Sequence, residues 1–386
     1  MRVTALEVSH FRNLQQVKIL PHTDLNLILG NNAQGKTNLL ESIWACTGCR
    51  SFRGAKEWDY IGLQQPLMEL KLRFSDRRRE QEILIRMQRE GRQRKIWLNR
   101  VPVQGTSKLF SAFQCVIFSP DDRELIRGGP EKRRAFMDLC GSQLNPAMLG
   151  CYRRFEQLTA QRNAMLKQVS AGCVSVQDLS DWDVQLAAYG SMLTCMRNAY
   201  IKRLSKVCAA LYGRITGDAE KLTVSYRSNL FRSSEIPEEP TREMQEYYRD
   251  ALQKSVRDDV RLGFTAKGAG RDDFLCRING LSVKDYGSQG QQKSTALVLK
   301  LAQASVFYEK KEETPVILLD DVMGELDAGR RNLVYDTVRD MQVFLTACNG
   351  ENLCEQNADP SHRAVFYMEN GLLRQEQQQA ENRKTE

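Results

Sequence analysis

No stretch of this 386-residue sequence approaches the roughly 20 consecutive apolar residues that a membrane helix needs. The first residues, MRVTALEVSHF, lack the basic-then-apolar order of an export signal. A cytoplasmic protein that does not engage a membrane is therefore expected. The 11 cysteines are scattered singly, and the one CxxC (Cys46, Cys49) has neither a second such motif nor a nearby histidine, the chain holding only 3. A zinc or redox centre is not indicated, and these thiols read as reduced core residues. No helical pattern sustains a heptad seam for long, which argues against a long coiled-coil arm. What remains, with 41% apolar and 27% charged residues, is a globular chain long enough for two or three domains.

The net charge of +8 is unevenly spread: residues 71–100 carry 11 Lys and Arg against 4 Asp and Glu. A polyanionic partner such as DNA follows from that excess, with Arg92, Arg94 and Lys95 as candidate contacts. The plainer reading of EILIRMQREGRQRKIWLNR is a hairpin in which Ile83, Ile85 and Met87 point inward, REGR turns, and the arginines face water. Both readings hold together.

Residues 1–120 alternate strand patterns with turns (VTALEVSHF, LNLILG, LMELKLRF, EILIRM, KIWLN, QCVIFS), whereas from Pro130 to about Phe264 the apolar spacing is helical, interrupted by the polar RSSEIPEEPTREMQ. An α/β architecture follows: a β-rich lobe built from both ends of the chain plus a helical lobe. The expected divisions are 1–125, 126–265, 266–370, and a disordered polar tail over 371–386.

Between LNLILG and a helical run lies Gly30, Asn31, Asn32, Ala33, Gln34, Gly35, Lys36, Thr37, which fits G-x-x-x-x-G-K-[ST] in the required strand–loop–helix context. The glycines let backbone N–H groups face phosphates, Lys36 reaches the β- and γ-phosphates while packing against little else, and the Thr37 hydroxyl suits Mg²⁺. A second carboxylate source is VILLDD: Asp320 ends a strand buried on both faces where Mg²⁺ would be held, and Asp321 follows where a base would orient water. Lys36, Asp320 and Asp321 are thus the candidate catalytic residues of an ATP- and Mg²⁺-dependent site, with Thr37 and Asp320 as metal ligands. The spacing of 284 residues between Lys36 and Asp320, with an S-x-G-Q turn in GSQGQQKS before VILLDD and ELD after it, gives the motif order of ABC-type ATPases.

With FRNL (Phe11 to Leu14), RSFR (Arg50 to Arg53), VIFSPDD, PEKRRAFMD, YGSQGQQKS and GELD added to these motifs, nearly the whole chain resembles the RecF family of bacterial recombination-mediator ATPases, related to SMC and Rad50 heads. The resemblance implies an ABC-type head without a long coiled coil. It implies a weak, DNA-stimulated ATPase used as a switch, and an ATP-dependent homodimer on gapped duplex and single-stranded DNA. It further implies RecO and RecR as partners in loading RecA, roles in replication restart and SOS induction, and a nucleoid-associated location. In such heads the signature turn caps the nucleotide of the partner protomer, which assigns Ser288, Gly290 and Gln291 that role and places Asp327 in the D-loop. Without the resemblance, Ser288 is simply a good helix N-cap. The alternative is an SMC-like or transport-associated ATPase acting mainly through protein partners.

The sequence departs from the pattern at several points. Asp321 stands where Glu is usual, which favours slow turnover. No histidine follows VFLTAC, Thr346 being the nearest candidate, and Gln114 is the nearest glutamine for the Q-loop. Ala269 and Gly270 replace a family Pro-His.

Overall fold

The computed structural model describes residues 1–348 and 360–375. From the N-terminus run β1 (Arg2–Phe11), β2 (Leu14–Ile19), β3 (Leu25–Leu29), α1 (Lys36–Ala45), β4 (Leu67–Ser75), β5 (Glu80–Gln88), β6 (Gln93–Leu98), β7 (Val101–Val103), α2 (Leu109–Ala112) and β8 (Cys115–Phe118). Then follow α3 (Glu124–Arg127), α4 (Pro130–Leu144), α5 (Pro146–Ser170), α6 (Ser180–Thr216), β9 (Leu222–Arg227), α7 (Arg242–Leu262), β10 (Asp273–Ile278), β11 (Leu281–Ser282), α8 (Val283–Tyr286) and α9 (Gln289–Lys311). The chain continues with β12 (Val316–Asp320), α10 (Ala328–Val338), β13 (Val343–Ala347), β14 (Arg363–Glu369) and β15 (Leu372–Gln375).

Two compact units result: residues 1–120 with the described residues from 307 onward, and residues 121–306. These divisions differ from the expected 125 and 265. Residues 266–306 belong with the helices because β10 pairs along its whole length with β9, in the alternating run LTVSYR, which carries a strand into the stretch expected to be helical apart from its polar insertion. Part of the expected polar insertion is likewise ordered: Thr241 accepts the Met244 N–H at 3.2 Å and starts α7 at Arg242. The tail expected to begin at 371 instead starts with β15, which pairs with β14; residues 376–386 lie outside the described residues.

The first unit contains two six-stranded sheets. One, in the order β2-β1-β4-β5-β6-β7, is antiparallel, and its β4 and β5 alternate so that Met68, Leu70, Leu72, Phe74, Ile83, Ile85 and Met87 are buried. The other, in the order β15-β14-β3-β13-β12-β8, is parallel except for β15. Every residue of β12 (VILLD) and β13 (VFLTA) is buried, as continuous apolar runs in the interior of a parallel sheet require. Loops leaving the carboxyl ends of β3, β12, β13 and β8 therefore open on one edge, where α/β sheets place their ligands.

The second unit packs α4, α5, α6 and α7 with the sheet β11-β10-β9. Its core includes buried ion pairs as well as apolar side chains. Arg162, fully buried, donates to Asp183 at 2.7 Å, Asp259 at 2.7 Å and the Thr265 hydroxyl at 2.9 Å. Arg197 meets both oxygens of Asp138 at 2.7 Å and the Ala269 carbonyl at 2.7 Å. The segment that departs from the family pattern thus has a structural use here: the buried Ala269 also donates its N–H to the Tyr248 hydroxyl at 2.8 Å. The longest described helix is α6, with 37 residues.

Candidate nucleotide site

The loop Gly30–Gly35 connects β3 to α1, and two of its glycines are demanded by geometry. Gly30 has φ 150° and lies so close to the Met368 carbonyl that a Cβ would collide with it. Gly35, with φ 116°, delivers the chain into α1 with no side-chain cap, and the first N–H groups of a helix, having no partner in a preceding turn, suit an anion. The β14–β15 turn clasps the loop from the side: Gly371 N–H donates to the Gln34 carbonyl at 3.0 Å and Asn370 N–H to Gln34 Oε1 at 2.6 Å.

Lys36 is only 6% exposed, and its ammonium donates to the carbonyls of Gly30 at 2.6 Å and Asn31 at 2.9 Å, with Cys348 Sγ at 3.7 Å. It is therefore packed, contrary to the expectation of a nearly free side chain. Those carbonyls hold the ammonium against the loop Gly30–Gly35. Asn31, Asn32 and Ala33 are exposed, and Asn32 Oδ1 accepts from the Cys348 thiol at 2.9 Å.

Thr37 at the start of α1 donates its hydroxyl to Asp320 Oδ1 at 2.9 Å, although 283 residues separate them. The register of β12 with β13 sets Asp320 beside Thr346, whose hydroxyl donates to the same oxygen at 3.0 Å and accepts the Asp321 N–H at 3.0 Å. Burial raises the Asp320 pKa above the ordinary aspartate range; the hydroxyls of Thr37 and Thr346 oppose that rise, and the charge of Asp321 adds to it. Asp321 is exposed, with φ 53°, a left-handed conformation that a short acidic side chain tolerates. A buried carboxylate and a hydroxyl in contact, with a second carboxylate adjacent, form an oxygen donor set suited to a hard cation.

Two features of this cluster were not singled out from the sequence. Arg53 donates to Asn38 on α1 at 2.9 Å, and its charge opposes the rise in the Asp320 pKa. The fully buried Glu41 holds the neighbouring chain in place, accepting from Arg12 Nη2 at 3.1 Å and from the Ser51 hydroxyl at 2.5 Å. RSFR supplied residue names without a geometric signal. Gln114, in contrast, lies at the amino end of β8, buried, with its carbonyl accepting Val316 N–H at 3.1 Å. In a parallel sheet that is the edge away from Asp320, so Gln114 cannot serve as the Q-loop residue; Ser119 and Pro120 leave β8 at the correct edge.

The signature turn belongs to the second unit. Ser288 is exposed and caps α9, accepting Gln291 N–H at 3.2 Å, while Gln291 Oε1 accepts Ser288 N–H at 2.9 Å, a reciprocal capping box. Asp327 caps α10, accepting Arg330 N–H at 2.9 Å.

Arg92, Arg94 and Lys95 are all exposed around the β5–β6 turn, but strand alternation separates the last two. Lys95 lies opposite Arg86, whose ion pair with Glu69 is 2.5 Å, whereas Arg94 forms an ion pair with Glu57. Glu82 offsets further basic residues of the same sheet, pairing with Lys71 at 3.4 Å and Arg73 at 3.2 Å. Cys46 and Cys49 are buried, and burial pushes the Cys46 thiol up to about 12. Among the described residues no group of three or more His, Cys, Asp or Glu is placed to hold a metal ion, and no helix is long and apolar enough to cross a membrane.

Residues 2–372 match the family described as RecF/RecN/SMC N terminal domain. The DNA replication and repair protein RecF of Alkaliphilus oremlandii is 33% identical over 373 residues, 97% of this chain and 100% of that protein. The RecF of Halothermothrix orenii is 34% identical over 376 residues, 97% and 98% of the two chains. A solved structure of the recombination mediator protein RecF-ATPrS in the RecFOR pathway superposes with a TM-score of 0.89 at 30% identity, covering 97% of both chains. An Smc head bound to the C-winged helix domain of ScpA gives a TM-score of 0.54 at 14% identity over 97% of both, a likeness of fold.

Proposed function

The chain belongs to the RecF family and has the fold of an ABC-type ATPase head, and from that premise we propose that it is an ATP-switched DNA-binding protein of recombinational repair. In this reading ATP joins two copies, and the dimer holds gapped duplex and single-stranded DNA and helps RecO and RecR load RecA. Slow, DNA-stimulated hydrolysis releases it. The observation that supports this best is the convergence of Thr37 and Thr346 on Asp320 beside the Gly30–Gly35 loop.

Lys36 and the α1 amides bind the phosphates, and Thr37 with Asp320 would hold Mg²⁺, whose charge neutralises the β- and γ-oxygens when bound. Asp321 orients the attacking water, its backbone kept in place by Thr346. Ser288 and Gly290 cap the γ-phosphate of the partner's nucleotide, with Gln291 and Asp327 at the same dimer interface. The decisive experiment measures dimerisation by sedimentation and binding to a gapped duplex by anisotropy. ATP with Mg²⁺ is expected to promote both and ADP neither. Equal effects of the two nucleotides, or DNA binding that ATP leaves unchanged, would overturn the switch.

The basic turn allows a quantitative check. Replacing Arg92, Arg94 and Lys95 together by Gln is expected to weaken binding to all DNA sequences alike. Each lost phosphate contact lowers the salt slope by about 0.9, so loss of Arg92 and Lys95 lowers it by about two units, Arg94 adding less because Glu57 already occupies it. An unchanged affinity and slope would make the turn a solvated hairpin only.

A further inference from the structure

The Gln291 side chain is held from both ends. While its Oε1 accepts the Ser288 N–H, its Nε2 donates to Glu220 Oε1 at 2.8 Å. The other oxygen of Glu220 accepts the hydroxyl of Tyr212, a buried residue of α6, at 2.7 Å. Glu220 lies between the end of α6, closed by Gly217 in the left-handed conformation, and the start of β9.

The chemistry of this chain runs one way. An ionised carboxylate only accepts, so the Gln291 amide must turn its NH₂ toward Glu220, and its oxygen is then directed at the Ser288 N–H. Without Glu220 nothing on that side selects between the two amide orientations, and the flipped one would set an NH₂ against the Ser288 N–H. This chain of hydrogen bonds links the signature turn to a residue 68 positions before Ser288 that the motif does not contain. We propose that Glu220 is a positioning residue for the signature turn: anchored by Tyr212, it sets the Gln291 amide and through it the Ser288 backbone in the form that meets the partner's nucleotide. The inference rests on the reading above, in which Ser288 and Gly290 act on the nucleotide of the second copy.

The test compares the parent protein with Glu220→Ala and Glu220→Gln, full length, in two assays. ATP-driven dimerisation is followed by sedimentation velocity, and ATP affinity is followed with a fluorescent ATP analogue at protein concentrations too low for dimers. Glu220→Ala is expected to weaken dimerisation by roughly a hundredfold, about tenfold for the charge-assisted hydrogen bond lost at each of the dimer's two signature turns, with monomer affinity unchanged. Glu220→Gln retains an oxygen for Gln291 Nε2 and an NH₂ for the Tyr212 oxygen, and should restore dimerisation; a merely structural role would not separate the two assays in this way. Should Glu220→Ala lose its thermal transition, Tyr212→Phe replaces it, with weaker dimerisation expected at unchanged monomer affinity.

Dimerisation of Glu220→Ala, or of Tyr212→Phe in its place, equal to the parent's would overturn the inference alone. So would a Gln variant as defective as the Ala variant, which points to charge, or tighter dimers in both, which points to repulsion of phosphate by the carboxylate. A parent that remains monomeric with ATP would overturn the capping reading and this inference with it.

Discussion

Lys36→Ala is expected to abolish ATP-dependent DNA binding while the protein remains folded. The ammonium is already drawn along the loop by the carbonyls of Gly30 and Asn31, so little rearrangement separates it from phosphates bound at the α1 amides. Its removal eliminates charge-assisted hydrogen bonds worth about 1.5–3 kcal/mol each, a tenfold or greater loss of ATP affinity for every bond. The two carbonyls it leaves belong to a loop whose Asn31 is exposed, so water replaces the ammonium at modest cost to stability. Anisotropy on a gapped duplex with and without ATP, beside a thermal melt, measures both halves. Equal ATP stimulation in variant and parent would refute the role of Lys36.

The second large effect concerns stability alone. Arg162→Met is expected to destabilise the protein by about 3–5 kcal/mol, because Asp183 and Asp259 lose the one guanidinium both of them contact within the helical unit. The sign of the pH dependence follows from Asp183. Burial already raises its pKa above the ordinary value of 3.8 and Arg162 opposes that rise, so removing Arg162 moves the folded-state pKa higher still. A folded state that holds its proton more tightly than the unfolded chain is relatively stabilised at low pH and loses that advantage as pH rises through the folded pKa. The deficit is therefore expected to be full near neutrality and to shrink as pH falls toward 3.8. Denaturant midpoints at two pH values measure this; a loss under about 1 kcal/mol at neutral pH, in the range of ordinary surface changes, would show that the pair is not needed.

The parts of the site legible in the sequence are those whose chemistry is local. GNNAQGKT and VILLDD carry their own contexts, a strand before a loop and a buried run before a carboxylate, and the parallel registers of β12 with β13 and of β13 with β3 bring them to one sheet edge. Ser288 was equally legible as a cap. What local pattern could not give is pairing across the chain: Glu57 with Arg94, Arg53 with Asn38, Glu220 with Gln291. Each depends on how distant elements meet. Gln114 was drawn toward the site by sequence proximity to VIFSPDD, and the direction of β8 removes it. The unit boundary at 306 was hidden for a similar reason: LTVSYR is a six-residue alternation inside a helical stretch, and only its pairing with β10 shows which unit those residues join.

The clasp on the Gly30–Gly35 loop has a consequence for biosynthesis. The strand before that loop, β3, pairs with β13 and β14, and Gly371 and Asn370 close the clasp, so the loop is completed by residues at least 336 positions after Gln34 in translation. During most of translation β3 has neither neighbour, and an apolar strand with open edges is vulnerable to pairing with other chains. A nascent or prematurely terminated chain lacking β14 and the turn after it would carry an intact GNNAQGKT yet lack the two contacts that clasp Gln34. The support of the loop is thereby coupled to the synthesis of β14 and the turn that follows it.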